Sequence, residues 1–369
     1  MNKKYPLSFR ISFFFLSIIL FLYAIITAKD FLFPIVLGLL FGYLLFPIAK
    51  FLEDRRIPRI LANFISIITF LAIVGAALLL VYKQAGGLVD NFPLYRQKAL
   101  ANIDHLENFI ENQFGLRDLR LVDFIRGRVK TLFESGNNAI NVVFTYTTGT
   151  IFRIGILPVY IFLFLFYRTK LAIFILQLAP EDKKSLIINI LRQYSHIVPR
   201  YMGGVSTVVL ILMFLNSTGL FIVGLEHAIL FGIISALFNF IPYFGTLMGG
   251  AVPFIFAVLT GETPLLALNV LILFAIIQFT ENNILTPNIV GNSLNLNPMV
   301  IIIGLIAGGM VWGIPGMFAI VPLLAMFNIL AANIETLKPY SFLLGMRGAR
   351  KHAITVQNIK RFLSRFQKK

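Results

Sequence analysis

Residues 228–258 read AILFGIISALFNFIPYFGTLMGGAVPFIFAV. A helix that crosses the hydrocarbon core of a bilayer needs about 20 mostly apolar residues. This run is longer than that, and it is interrupted. Pro242 and Pro253 each remove a backbone donor from a helix and crowd the preceding turn. Gly245, Gly249 and Gly250 permit close backbone approach. The stretch predicts either a Pro-kinked helix whose glycine face only packs, or a broken, re-entrant pair of helices. Residues 299–328 repeat the pattern with Gly304, Gly308, Gly309, Gly313, Pro315, Gly316 and Pro322. Irregular backbone at membrane depth is tolerated only where protein or a water-filled cavity surrounds it.

Six simpler apolar runs lie near 11–28, 31–49, 60–82, 151–167, 201–223 and 264–280. The first follows Lys3, Lys4 and Arg10 and ends at Ile26-Thr27-Ala28, a weak signal-peptide cleavage site. Its length, and the second run that follows at once, favour a span. The chain of 369 residues is 58% hydrophobic and 13% charged. A soluble domain averages about 45–50% and about 25%, so a soluble enzyme is a poor fit. A chain with 38 Phe cannot stay solvated, which excludes disorder. The net charge of +16 suits a nucleic-acid binder, but the apolar content does not. No cysteine is present, which excludes disulfides, thiolate catalysis and Cys-ligated metals. The expected fold class is an all-α polytopic integral membrane protein of about eight transmembrane segments, with broken or re-entrant helices in the C-terminal half.

Lys and Arg concentrate on the cytoplasmic flanks of membrane spans. With eight crossings and a cytoplasmic N-terminus, the whole +16 falls on the cytoplasmic side and the outer side sums to zero. That arrangement puts Glu262 inside and Glu281 outside. Its parity fails if only one long run folds back on itself, and survives if both do. The chain then divides into three N-terminal spans (1–82), an outer amphipathic insert (83–150), a transport region (151–336) with a cytoplasmic link at 168–200, and a basic cytoplasmic tail (337–369). In the insert, Ala99, Ile103, Leu106 and Ile110 recur at helical spacing. In the link, Pro180 followed by Glu181 and Asp182 reads as a helix start. In the tail, Ile359, Phe362, Leu363 and Phe366 form one face of a basic helix suited to an anionic membrane surface. A solvated cytoplasmic tail fits the same residues.

No phosphate-binding loop, His-Glu-x-x-His or Gly-x-Ser-x-Gly occurs, and the four histidines are scattered. No catalytic set, metal site or cofactor is expected. Transport by this chain would draw on a gradient or a partner. Unusual chemistry instead gathers in 238–322. Asn239 precedes the Pro242-Tyr243-Phe244-Gly245 break, where its amide suits either freed backbone or a solute. Glu281, Asn282 and Asn283 end an apolar run just before Pro287. Such groups are costly in lipid and usually face protein or a wet cavity; a helix end at the water interface is the alternative. Glu226 and Glu262 read as loop residues. Gly38/Gly42, Gly245/Gly249, Gly304/Gly308 and Gly309/Gly313 are small-x-x-x-small pairs, which let membrane helices pack closely within one chain or between subunits of a homo-oligomer. Trp312, the only Trp, fits an interface or a cavity equally.

The run Asn239-Phe-Ile-Pro242-Tyr243-Phe-Gly245 resembles one signature of the AI-2E transporter family. A second resemblance runs from Glu281-Asn-Asn-Ile-Leu-Thr-Pro287-Asn-Ile-Val-Gly291 through Leu296-Asn-Pro298, Gly308-Gly309 and Gly313-Ile-Pro-Gly316 to Pro322. Thr246 stands where that family's pattern has Pro. The resemblance implies a transporter of the bacterial plasma membrane. It further implies either export of the signal autoinducer-2 or sodium(lithium)/proton antiport. On this reading Asn239, Pro242, Tyr243, Gly245, Glu281, Asn282, Asn283 and Pro287 form the substrate or ion path. Gly249, Gly250, Gly304, Gly308, Gly309, Gly313, Pro315 and Gly316 serve helix packing or hinge motion. The expected partners are the bilayer, a small solute, and a proton or sodium ion. A rival reading is a membrane scaffold that recruits partners through the insert or the tail.

Overall fold

The computed structural model describes residues 7–114, 122–131, 155–291 and 294–346. These residues are helical almost throughout. In order they form α1 (Leu7–Thr27), α2 (Lys29–Asp54), α3 (Arg59–Asp90), α4 (Phe92–Phe114), α5 (122–131), α6 (Leu157–Leu178), α7 (Lys184–Val223), α8 (Ala228–Phe238), α9 (Phe244–Thr260), α10 (Pro264–Thr280), α11 (Thr286–Ile289), α12 (Pro298–Trp312), α13 (Ile314–Asn333) and α14 (Lys338–Leu344). Six helical stretches among the described residues are long and apolar enough to cross a membrane. Their outward surfaces are apolar too. Phe31, Ile222 and Phe279 are 64%, 78% and 66% exposed, an arrangement that hydrocarbon solvent permits and water penalises. The basic face at 359–366 lies outside the described residues.

The chain divides into two compact units. The first holds residues 1–168 and 202–291. Within it, the glycine stripe of α2 lies against α6: a Cβ on Gly38 would stand 2.6 Å from Cβ of Tyr160, and one on Gly42 3.4 Å from that of Phe164. Leu45, Ala49, Ile67, Ile161 and Leu165 close the core of α2, α3 and α6. At one end of this core Glu53 pairs with Arg168, and Arg59 donates to the Phe166 carbonyl at 3.3 Å. Removing such a partner would leave a part-buried charge uncompensated.

The long run at 228–258 does not cross as one helix. α8 has 11 residues, about 16 Å of rise, roughly half a bilayer core. The chain then turns and α9 returns beside α8. Gly249 meets the Ser235 carbonyl, and Ser235 Oγ donates to the Gly249 carbonyl at 2.5 Å. Both open ends of this hairpin sit on α4. Tyr95 bonds His227 before α8, and Asn102 bonds carbonyls at the end of α9. Of the residues spaced for the insert's helix, Ala99 and Ile103 pack with Val122 and Val129 of α5. Arg126 ties the two insert helices together through Asp104 and Glu107, at 2.8 and 2.6 Å. Leu220, Phe231, Ala257 and Val270 form the core that joins α7, α8, α9 and α10.

The second unit holds residues 169–201 and 292–369. The link's Pro180 caps a short 3-10 turn, Glu181–Lys183, that leads into α7. The run at 299–328 is also a hairpin, α12 and α13, joined at Gly313. That residue has φ +69° and ψ −150°, a conformation that essentially only glycine adopts. Trp312 lies half-buried at this tip. Gly308 and Gly316 face each other backbone to backbone. At the other end, Asn297 N–H donates to the Leu344 carbonyl at 2.7 Å, so both arms return to α14. A polar seam joins α7 to α13, where Tyr194 Oη donates to the Met326 carbonyl and Asn189 to Asn333.

The loop at Glu262 lies at the insert's end of unit 1, and α10 carries Glu281 to the opposite end. Glu262 and Glu281 therefore lie at opposite ends of unit 1.

Gly245 is the tightest point of the α8–α9 hairpin. A Cβ there would stand 2.3 Å from the Phe238 carbonyl oxygen and 2.4 Å from Cα of Asn239. Gly75 on α3 has nothing within 4 Å. Thermal unfolding in detergent should therefore show Gly245→Ala destabilised by about 1–3 kcal/mol, and Gly75→Ala neutral or slightly stabilised. Equal melting temperatures for the two variants would contradict the hairpin.

Candidate functional site

The candidate residues of unit 1 lie on two segments, the α8–α9 turn and the end of α10. In the turn, α8 tightens as it ends. Asn239, Phe240 and Ile241 N–H groups donate three residues back, to Ala236, Leu237 and Phe238. Pro242 has no N–H to continue the ladder. Tyr243 then takes φ +63°, and the Gly245 N–H donates to the Ile241 carbonyl at 2.9 Å as α9 begins. A tyrosine in the left-handed region is strained, and such strain clusters at functional positions. Its ring is half exposed, at 49%. The Asn239 amide donates to the Ser235 carbonyl at 3.2 Å, so its donor end serves the frayed backbone of α8.

At the end of α10 the helix does not stop but widens. Glu281–Leu285 form a π turn, and the Thr286 N–H reaches back five residues to the Glu281 carbonyl. The cause lies in the sequence. Pro287 lacks an N–H, and its ring would strike the carbonyl four residues earlier, at Asn283. Widening the turn relieves that clash. It also brings Thr286 onto the face of Glu281. Thr286 Oγ1 donates to one carboxylate oxygen and Gln278 Nε2 to the other, each at 2.5 Å. No Lys, Arg or His pairs with this part-buried carboxylate among the described residues. Asn283 donates to the Phe279 carbonyl at 2.8 Å, while Asn282 is exposed.

The two segments share one end of unit 1. Gly250 packs on the Phe274 ring, where a Cβ would stand 3.4 Å away, so α9 runs antiparallel to α10. The first turn of α9 at Phe244 is then level with Thr280. Gly204 of α7 lies against Ile289 and Val290, where a Cβ would meet the Val290 Cα at 3.1 Å. The remaining candidates, Gly304, Gly308, Gly309, Gly313, Pro315 and Gly316, belong to the second unit's hairpin. There a Cβ on Gly304 would meet Leu324, and one on Gly309 would meet Met317. Chemically, the Glu281 segment offers a carboxylate held by neutral donors, exposed amides and a pre-broken helix. No group of three His, Asp or Glu close enough for a metal occurs among the described residues. Sequence reasoning had no roles for Gln278 and Thr286. The available signal was Pro287, which imposes the wider turn.

Thr286 is thus a direct partner of the carboxylate. Hydrogen bonds to charged groups are worth about 1.5–3 kcal/mol. Thr286→Val keeps the shape and removes the donor, so it should lower the melting temperature. Pro287→Ala should let the π turn close to an α turn, which hydrogen exchange at 281–290 would register as stronger protection.

Comparison with known proteins follows the same outline. The family model for AI-2E family transporters matches residues 15–336. YrrI of Bacillus subtilis is 27% identical over 83% of this chain and 87% of its own length. YueF of the same organism is 26% identical over 85% and 86%. The AI-2 transport protein TqsA of Escherichia coli is 25% identical over 82% and 86%. The match spans the apolar helices, both hairpins and the Glu281 turn. The chain belongs to the AI-2E transporter family and is a multi-pass membrane transporter.

Proposed function

We propose that this protein is a secondary transporter of the bacterial plasma membrane that exports a small polar solute of the autoinducer-2 type. Glu281 is its titratable group, and Asn239, Tyr243, Asn282 and Asn283 are its polar contacts. The observation that carries this reading is the Glu281 carboxylate, part-buried and met, among the described residues, by the neutral donors Gln278 and Thr286. An intramembrane ionisable residue of this kind usually marks a substrate or ion pathway. Broken helices nearby are where secondary transporters expose backbone and polar groups to solutes. The AI-2 transport named for TqsA supports the solute class.

Orientation rests on charge. With both hairpins returning to their own sides, the excess of Lys and Arg still gathers at the N-terminus, the 50–59 loop, the 168–200 link and the tail. Placing these in the cytoplasm obeys the positive-inside rule. Glu281 and the Asn239–Tyr243 turn then open toward the cytoplasm, where an exported solute is loaded.

A second reading is sodium or lithium exchange for protons. It is favoured by the lack of a cationic partner for Glu281 among the described residues, since a bound proton or alkali cation would supply the missing charge.

Proteoliposomes under imposed proton and sodium gradients test both. Export predicts autoinducer-2 movement that falls at least tenfold in Glu281→Gln at equal expression. Antiport predicts a sodium-triggered change in internal pH that the same variant abolishes. Unchanged flux and unchanged pH dependence in Glu281→Gln would overturn the role of this carboxylate.

A further inference from the structure

A second titratable cluster lies at the far end of unit 1 from Glu281, where the insert meets the base of the α8–α9 hairpin. Tyr95 of α4 is buried, 3% exposed. Its phenol oxygen is 2.8 Å from Nε2 of His227, and its ring meets Phe256 of α9 edge-on. Three residues further along α4, Lys98 Nζ is 3.6 Å from the Glu226 carboxylate. A further turn along, the Asn102 amide donates to the carbonyls of Leu259 and Gly261 at 3.0 and 2.9 Å. These are carbonyls at the end of α9, which has no intrahelical partners to offer them. Residues 95, 98 and 102 fall on one face of a helix. One stripe of α4 thus grips both ends of the hairpin.

The grip depends on the protonation state of His227. Burial holds its imidazole below the usual value, against the Glu226 charge, which pulls it up. The Tyr95 phenol is pushed up to about 12, by burial first and then by Glu226. The phenol keeps its proton and shares one hydrogen bond with His227 Nε2, its other partner being the Glu226 carboxylate, so a second proton on the imidazole would put a charge into this buried contact. His227 also sits at the N-terminus of α8 with φ +56°, where the helix dipole disfavours a cation. The charged groups around it are Glu226 from its own loop and Lys98 from α4. From α3 the contact is Gly87, with exposed Lys83 and Asp90 about a turn to either side. Phe231 of α8 and Phe256 of α9 add no charge.

We propose that Tyr95, Lys98 and Asn102 form a clamp that holds the insert on the hairpin, and that protonation of His227 from the medium on that side loosens it. The sign follows from linkage. The clamped state disfavours the proton, so its full strength is present above the ordinary imidazole value of about 6.5 and is lost as pH falls below it. The Asn102 bonds carry no titratable group, so acid loosens the clamp without unfolding the insert. Loosening frees the base of the same hairpin whose tip carries Asn239 and Tyr243, and the clamp stands whatever role Glu281 has.

Hydrogen exchange measured by mass spectrometry on the full chain in lipid nanodiscs tests this without a transported solute. After correction for intrinsic exchange, α4 peptides covering 92–105 should exchange about fivefold faster at pH 5 than at pH 8, the worth of about one hydrogen bond. His227→Gln cannot become charged and should give equal exchange at the two pH values. His227→Asn, better suited to the left-handed backbone, is the second variant. Tyr95→Phe should exchange fast at both. Peptides of α10 report that the fold is intact. Equal protection of wild-type α4 at both pH values, or histidine variants that follow the wild type, would overturn the clamp.

Discussion

The contact on which the rest of unit 1 depends is the backbone-to-backbone approach of α8 and α9. At Gly245 there is no room for even one carbon atom before the Phe238 carbonyl is reached, and at Gly249 the Ser235 carbonyl is nearly as close. In hydrocarbon, every peptide group needs a partner within the protein. A chain that turns back inside the membrane can meet that demand only if its two arms close on each other. Small residues make the closure possible. The Ser235 hydroxyl bonded to the Gly249 carbonyl, and the Asn239 amide bonded to the Ser235 carbonyl, help satisfy the turn.

From this closure the placement of the polar residues follows. Because α8 and α9 return to the insert's end, α10 starts there as well. Its 17 residues span about 26 Å. It therefore delivers Glu281 to the opposite end, level with the hairpin's tip. Pro287 then decides how that end is built. It widens the helix by one residue, and the wider turn sets Thr286 beside Glu281. One hairpin thus connects two polar regions, a carboxylate turn near its tip and a histidine-centred clamp at its base.

Much of this was legible in the residues. The apolar runs locate the membrane helices, and the Gly and Pro clusters mark both interrupted regions. Ala99 and Ile103 announce the buried face of the insert, and Pro180 the start of the link's helix. Other features were not legible. A Pro-kinked single helix and a hairpin use the same residues at 228–258. They differ only in whether Gly245 meets the backbone of Asn239. Asn239 read equally as a solute contact and as a cap, and its donor end caps. Tyr95 and His227 stand 132 residues apart, so no local pattern pairs them.

The sequence by itself determined that the chain lives in a membrane, because 58% hydrophobic residues grouped into helix-length runs have no other solvent. It also determined the charge asymmetry and the positions where helices must break, since proline and glycine act through local backbone geometry. Only the tertiary structure decided the sense of the breaks, and with it which glutamate lies at which end. That choice depends on helix-to-helix closure, in which the energy comes from contacts between segments rather than from any one of them. Exchanging Glu262 and Glu281 between the two ends leaves every charge total unaltered, so no count of charges distinguishes the two arrangements.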